Sequence, residues 1–169
     1  KPTYIRLARA KTPVYTTVET PFEIGIPQVV YQSDKPTIGI IPCGSLVYQS
    51  ILAAEELVTE GSRVSGMNLS TIKPMNEKMV IEFAQTVDCI VTAEEHQIHG
   101  GLGSAVAEVI VKNNPVPMEF VGMKDHFGGS GQPEELLKHF GMTWKEIYSS
   151  VIKVLERKKK GYIGTRKVI

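Results

Sequence analysis

Two cysteines in 169 residues, Cys43 and Cys89, are too few and too far apart for a disulfide framework or a zinc site. Each lies in an apolar, strand-like run, so both read as reduced, buried thiols of a cytoplasmic protein. Excess charge is also missing. Nineteen Lys and Arg against 18 Asp and Glu leave a formal net charge of +1, which gives no electrostatic drive toward nucleic acid or an anionic membrane. No apolar run approaches the ~20 residues needed to span a bilayer. No signal-peptide pattern opens the chain, and Lys1-Pro2-Thr3-Tyr4 reads as the interior of a longer protein. Nothing repeats at a fixed period, and no segment is of low complexity. What remains, 42% hydrophobic and 22% charged residues, suits one soluble globular domain.

Regular structure begins late. Pro13, Pro21, Pro27 and Pro36 punctuate the first 35 residues and exclude a long helix there. Val29 to Gln32 reads as a short strand, and Thr37 to Ile41 as a buried one. Ser45 is a candidate N-cap for a helix from Leu46 to Glu60, with Val47, Ile51, Ala54 and Val58 as its inner stripe and Gly61 as its stop. Further strands are expected at 63–69, 87–93 and 118–123. Helices are expected from Asn76 to about Gln85, from the Gly100–Gly103 loop to Lys112, and from Pro133 to Gly141. A last helix starts at the capping box Thr143-Trp144-Lys145-Glu146, with Ile147, Val151, Val154 and Leu155 facing inward. Its basic run Arg157 to Lys160 falls where the helix dipole favours positive charge. Short apolar strands alternating with helices argue for an α/β fold, a mostly parallel sheet covered on both faces, with ligand-binding loops at the carboxyl ends of the strands.

Three places could carry chemistry. Glu94-Glu95-His96-Gln97-Ile98-His99 runs into Gly100-Gly101-Leu102-Gly103, between a strand and a helix. The favoured reading is a tight turn whose glycines permit close strand–helix packing. The second reading is an anion cradle of free amides at a helix N-terminus, against which two neighbouring acids would act and for which dinucleotide or Walker spacing is lacking. His96 and His99 need not converge on a metal once the glycines break the helix; a bridging or interface role ranks above a metal site for them. Arg6 and Arg9 could fork onto a phosphate or could be solvated surface residues, and spacing does not choose between these. The loop Asp125-His126-Phe127-Gly128-Gly129-Ser130-Gly131 is read as structural and at an interface, because Asp, His and Ser near one another make no triad without geometry.

Taken in order, Pro2-Thr3-Tyr4-Ile5-Arg6-Leu7-Ala8-Arg9, Thr71-Ile72-Lys73-Pro74, Val91-Thr92-Ala93-Glu94-Glu95-His96 leading into Gly100-Gly101-Leu102-Gly103-Ser104, Gly122-Met123-Lys124-Asp125-His126-Phe127-Gly128 and Pro133-Glu134-Glu135-Leu136-Leu137 resemble the C-terminal part of the transketolase family over nearly the whole chain. Glu-Glu-His with Gly-Gly-Leu-Gly most resembles the C-terminal section of transketolases split into two chains. The resemblance implies a three-layer α/β/α domain with a five-stranded, mostly parallel sheet, its first strand antiparallel. It implies a domain at residues 20–169, preceded at 1–19 by a remnant of the pyrimidine-binding domain and a linker. It implies ketol transfer between sugar phosphates in the full enzyme, with thiamine diphosphate and a divalent metal held by other domains and none bound by this chain alone. Arg9, with Arg6 as a weaker companion, would bind the substrate phosphate. The implied partners are the N-terminal and middle domains or subunit, in a homodimeric assembly. Deoxyxylulose-phosphate synthases and the beta subunits of 2-oxo acid dehydrogenases use a related domain and rank below, as does an anion- or nucleotide-binding module.

Overall fold

The computed structural model describes residues 2–5, 7 and 11–159. Its elements run β1 (Gln28–Gln32), β2 (Ile38–Pro42), α1 (Leu46–Thr59), β3 (Val64–Asn68), α2 (Glu77–Gln85), β4 (Cys89–Gln97), α3 (Leu102–Asn113), β5 (Met118–Met123), α4 (Pro133–His139) and α5 (Trp144–Lys159). The strands form one five-stranded sheet in the order β1-β3-β2-β4-β5. Strands β3, β2, β4 and β5 are parallel, and β1 lies antiparallel against β3 at one edge. This is the three-layer, mixed-sheet architecture expected from the sequence.

The sheet is covered on both faces, so its central strands are buried at successive rather than alternate positions, including the polar Ser65 and Asn68 of β3. All five residues of β2 and of β3 are buried. Ile38, Ile40, Val64, Cys89, Val91 and Val121 pack on one face against α1 and α5, through Leu46, Ala53, Leu57, Ile147, Val151 and Val154. Ile41, Met67 and Ile90 pack on the other against α2 and α3, through Val80, Phe83, Val106 and Ile110. At roughly 1.5–3 kcal/mol for each fully buried large aliphatic side chain, these two clusters dominate the stabilising side of folding.

The helix boundaries follow their caps. The Asn76 side chain accepts from the Met79 amide at 3.2 Å. Gly61, at φ +85°, ends the first helical segment as its amide returns to the Val58 carbonyl. A capping box at Gln132 and Glu135 starts α4 behind Pro133. The Glu146 carboxylate accepts from the Thr143 amide at 3.1 Å at the head of α5.

Two expectations need correction. The Ser45 hydroxyl caps no amide of α1; it donates instead to the Glu95 carboxylate, across the sheet edge. The inner face of α1 is Leu46, Val47, Ser50, Ala53, Ala54 and Leu57, while Ile51 and Val58 are only half-buried. The helix is rotated toward Leu57 because α5 covers its flank and the small Ala53 and Ala54 allow close approach to the sheet. The basic run at the end of α5 also has partners. Arg157 and Lys153 both bond the nearly buried Glu119 carboxylate of β5, and Lys158 pairs with Asp88 at 2.9 Å.

Ahead of β1, residues 15–27 lie along the sheet edge. The Gly25 amide donates to Thr71 Oγ1 at 2.9 Å, and Asn76 Nδ2 donates to the Gly25 carbonyl at 3.3 Å. Tyr4, Ile5, Leu7, Val14, Val18, Phe22 and Ile24 are exposed. The described residues 2–5 and 7 belong to no strand.

Candidate functional site

After β2 the chain moves outward to β3, then crosses back to place β4 on the other side of β2. The carboxyl ends of β2 and β4 therefore flank a topological switch point, with α1 and α3 on opposite faces. Open α/β sheets bind ligands there. Cys43, Gly44 and Ser45 follow β2; Glu94, Glu95 and His96 close β4.

Strand β4 is longer than its apolar run suggests. It continues from Ala93 to Gln97 because Gln97 still pairs with Met123 of β5, after a register shift between Ala93 and Gln97. Glu94, Glu95 and His96 are thus strand residues, not loop residues. Successive strand side chains face opposite ways, and the two glutamates divide accordingly.

Glu94 turns to α3 and is 2% exposed. Its Oε2 accepts from the Leu102 amide at 2.6 Å and its Oε1 from the Gly103 amide at 2.8 Å. Both are first-turn amides with no partner inside the helix, so the carboxylate acts as the helix's resident anion. Residue 101 has to be glycine for this contact, since a Cβ there would lie 2.0 Å from Glu94 Oε2 and 2.5 Å from the Gln97 carbonyl oxygen. Burial raises the Glu94 carboxyl above its ordinary value of 4.5; the Gly103 and Leu102 amides and nearby His96 pull it back only in part. The loop ahead closes on itself: the Gly100 amide donates to Ser104 Oγ, which donates to the Ile98 carbonyl, each at 2.9 Å.

Glu95 turns to the other layer and accepts the Ser45 hydroxyl at the head of α1. Both helix N-termini beside the switch point thus meet a glutamate of β4. His96 is mostly exposed, its Nδ1 2.9 Å from the Gln97 carbonyl and 3.9 Å from Glu94 Oε2. His99 is exposed in the loop. Among the described residues no three His, Cys, Asp or Glu side chains come together as a metal site. The Cys43 thiol beside the crevice is pushed up to about 11, by burial first and by the Glu94 charge second, and burial likewise holds Cys89 at about 11. Both cysteines are free thiols.

The structure therefore gathers Glu94, Gly101 and Gly103 into one tight strand–helix junction, with His96 at its rim and His99 away from it. Arg6 and Arg9 lie outside the described residues. The sequence did not reveal that the anion at the α3 N-terminus is the chain's own. The signal was Glu94 itself, an acid eight and nine residues ahead of the two amides it bonds. The loop after β5 is pinned by Gln97, whose Nε2 donates to the His126 carbonyl and whose Oε1 accepts the Asp125 amide, both at 2.9 Å.

Residues 28–147 match the model of the transketolase C-terminal domain. This chain belongs to that family. It is 38% identical over 157 residues to the 6-deoxy-6-sulfo-D-fructose transketolase subunit SqwH of Clostridium sp. (strain MSTE9), covering 93% of this chain and 48% of that protein. A solved split-gene transketolase, described as an inactive beta4 tetramer, superposes with a TM-score of 0.81 at 33% identity, over 88% of this chain and 48% of its own. A 1-deoxy-D-xylulose-5-phosphate synthase of Caldanaerobacter subterraneus subsp. tengcongensis is 32% identical over 89% of this chain but only 24% of its length. The chain thus spans about half or less of the relatives it matches. No helix among the described residues is long and apolar enough to cross a membrane.

Proposed function

We propose that this chain is the C-terminal portion of a thiamine-diphosphate-dependent transketolase, inactive alone, which supplies subunit contacts and a substrate-phosphate contact to ketol transfer between sugar phosphates. The observation that carries this reading is the occupation of the switch-point crevice by the protein's own carboxylates. The Leu102 and Gly103 amides at the head of α3 are already bonded to Glu94 and so offer no cradle to a diphosphate, and Glu94 and Glu95 would repel one. The sequence contains no Gly-Asp-Gly with which the family holds the cofactor's metal. These residues do not fit thiamine diphosphate, and the cofactor is assigned to the N-terminal and middle regions of the full enzyme.

Residues 20–169 form the domain in this reading, and residues 1–19 belong to the preceding pyrimidine-binding domain and its linker. The exposed Tyr4, Ile5, Leu7, Val14 and Val18 support it, because a run of large apolar side chains in water marks a surface that another protein segment covers. Arg9 is the proposed ligand of the sugar phosphate, with Arg6 beside it, in a dimeric assembly.

The test is reconstitution. Adding the chain to the missing N-terminal and middle regions is expected to restore ketol transfer, with neither part active alone. Arg9→Ala in the assembly is expected to raise KM for the sugar phosphate while leaving cofactor affinity unchanged. Turnover by the isolated 169 residues would refute the proposal. The synthase relative favours a second reading, tested by the same mixture: formation of 1-deoxy-D-xylulose 5-phosphate in place of ketol transfer would move the chain to that activity.

A further inference from the structure

The loops at 43–45, 98–101 and 124–131 follow the parallel strands β2, β4 and β5, so all three lie at the carboxyl edge of the sheet. Strand β1 runs the other way and pairs Gln28 with Asn68, which brings the segment ahead of it to the same edge, beside the end of β3. That edge carries exposed Phe22, Ile24 and Ile72 at one end and Phe127 at the other, roughly 20 Å away by strand spacing. We propose that the loop from Lys124 to Gly131 docks an acidic segment of the N-terminal and middle regions, with Phe127 as its anchor; this rests on the transketolase reading above and extends the contact already assigned to residues 1–19.

A lone exposed ring needs no explanation. The Phe127 ring is 100% exposed on a loop whose base is held in an uncommon shape. Asp125 sits at φ +57°, a conformation that residues other than glycine adopt rarely. Gln97 holds it there, its Oε1 accepting the Asp125 amide and its Nε2 donating to the His126 carbonyl, both at 2.9 Å. Gln97 reaches the loop because β4 continues past its register shift. The base of the loop is therefore set before a partner arrives, which removes part of the ordering cost of binding. The surroundings select the partner. Phe127 and Phe140 line a hollow of about 550 Å³ with Lys124, His126, Gly129 and His139. Lys124 brings a positive charge, the two imidazoles can donate to carboxylates, and no acid lines the hollow. A carboxylate-bearing segment with a recess for one ring matches both features. A second copy docked loop to loop does not, because a two-fold contact would set Lys124 against Lys124.

The experiment measures the Kd between the whole 169-residue chain and the N-terminal and middle regions used for reconstitution, by sedimentation at several concentrations. Phe127→Ala, at a ring already in water, is expected to weaken association about tenfold or more with an unchanged melting temperature. Lys124→Glu is expected to weaken it too, and added salt should lower the affinity of wild type more than that of this variant. Gln97→Ala is expected to speed hydrogen exchange at the Asp125 amide of the free chain and to weaken association although Phe127 is retained. Association that Phe127→Ala and Lys124→Glu leave at wild-type strength overturns this proposal and spares the transketolase reading. No association of the wild-type chain overturns both. Self-association of the isolated chain that Phe127→Ala abolishes gives the loop to a second copy and overturns the proposal as well.

Discussion

Removing the Glu94 carboxylate should unfasten α3 from the sheet. Glu94→Ala strips the acceptor from two buried amides, those of Leu102 and Gly103, now held at 2.6 and 2.8 Å. A buried donor left without a partner costs about 1–3 kcal/mol, so two give about 2–6 kcal/mol. Against that stands the relief of a desolvated carboxylate, whose burial raises its pKa, and the entry of water into the space vacated. The expected net loss is about 2–4 kcal/mol, a fall in Tm of roughly 5–15 °C for a domain of this size. Glu94→Gln keeps the shape and one acceptor but sets an NH2 group against the second amide, so about 1–3 kcal/mol is expected. Urea unfolding measures both values. Amide hydrogen exchange locates them, since the Leu102 and Gly103 protons should lose protection ahead of the rest of α3. Variants within about 0.5 kcal/mol of wild type, or unchanged exchange at these two amides, would refute the argument. A companion change sharpens it: Gly101→Ala, whose Cβ would meet Glu94 Oε2 at 2.0 Å, should cost less in the Glu94→Ala background than in wild type, although the Gln97 carbonyl keeps the relief incomplete.

Other consequences follow from the same geometry. Because folding raises the Glu94 pKa, its contribution is fully present below the ordinary value of 4.5 and is lost as pH rises through the folded value; the wild-type minus Glu94→Gln difference in unfolding free energy should therefore shrink from pH 4 to pH 7, and a growing difference would contradict the assigned direction. Gly103→Ala would push a Cβ to 2.6 Å from the Phe120 ring and 2.7 Å from Thr92 Oγ1, and should cost about 1–3 kcal/mol by thermal unfolding. With both thiols held near 11, half-buried Cys43 and buried Cys89 should react slowly with iodoacetamide at pH 7.5 in the native protein and readily in urea; fast native labelling of Cys89 would contradict its burial. Lys153→Met with Arg157→Met leaves the Glu119 carboxylate nearly buried and unpaired, and should destabilise more than Glu119→Gln, which leaves two cations that water already reaches.

The order and type of every element from β1 to α5 could be read from apolar runs and periodicity, because the central strands β2 and β3 and the first part of β4 are buried along their length and most helices have a definite cap or glycine stop. Two kinds of feature escaped. The inner face of α1 depends on where α5 lies against it, which periodicity within α1 does not contain. The extension of β4 depends on pairing with a strand more than twenty residues onward. A β4 that stops at Ala93 makes Glu94 a loop acid that should repel an anion, whereas the longer strand makes it the anion at the helix head. Gly101 and Gly103 allow close packing, and what packs against Gly101 is a carboxylate.

Glu94 and Glu95 are adjacent on one strand and hold one helix each, on opposite faces of the sheet. The strand works as a clasp through the thickness of the molecule. A displacement of β4 along its axis would pull on the heads of α3 and α1 together.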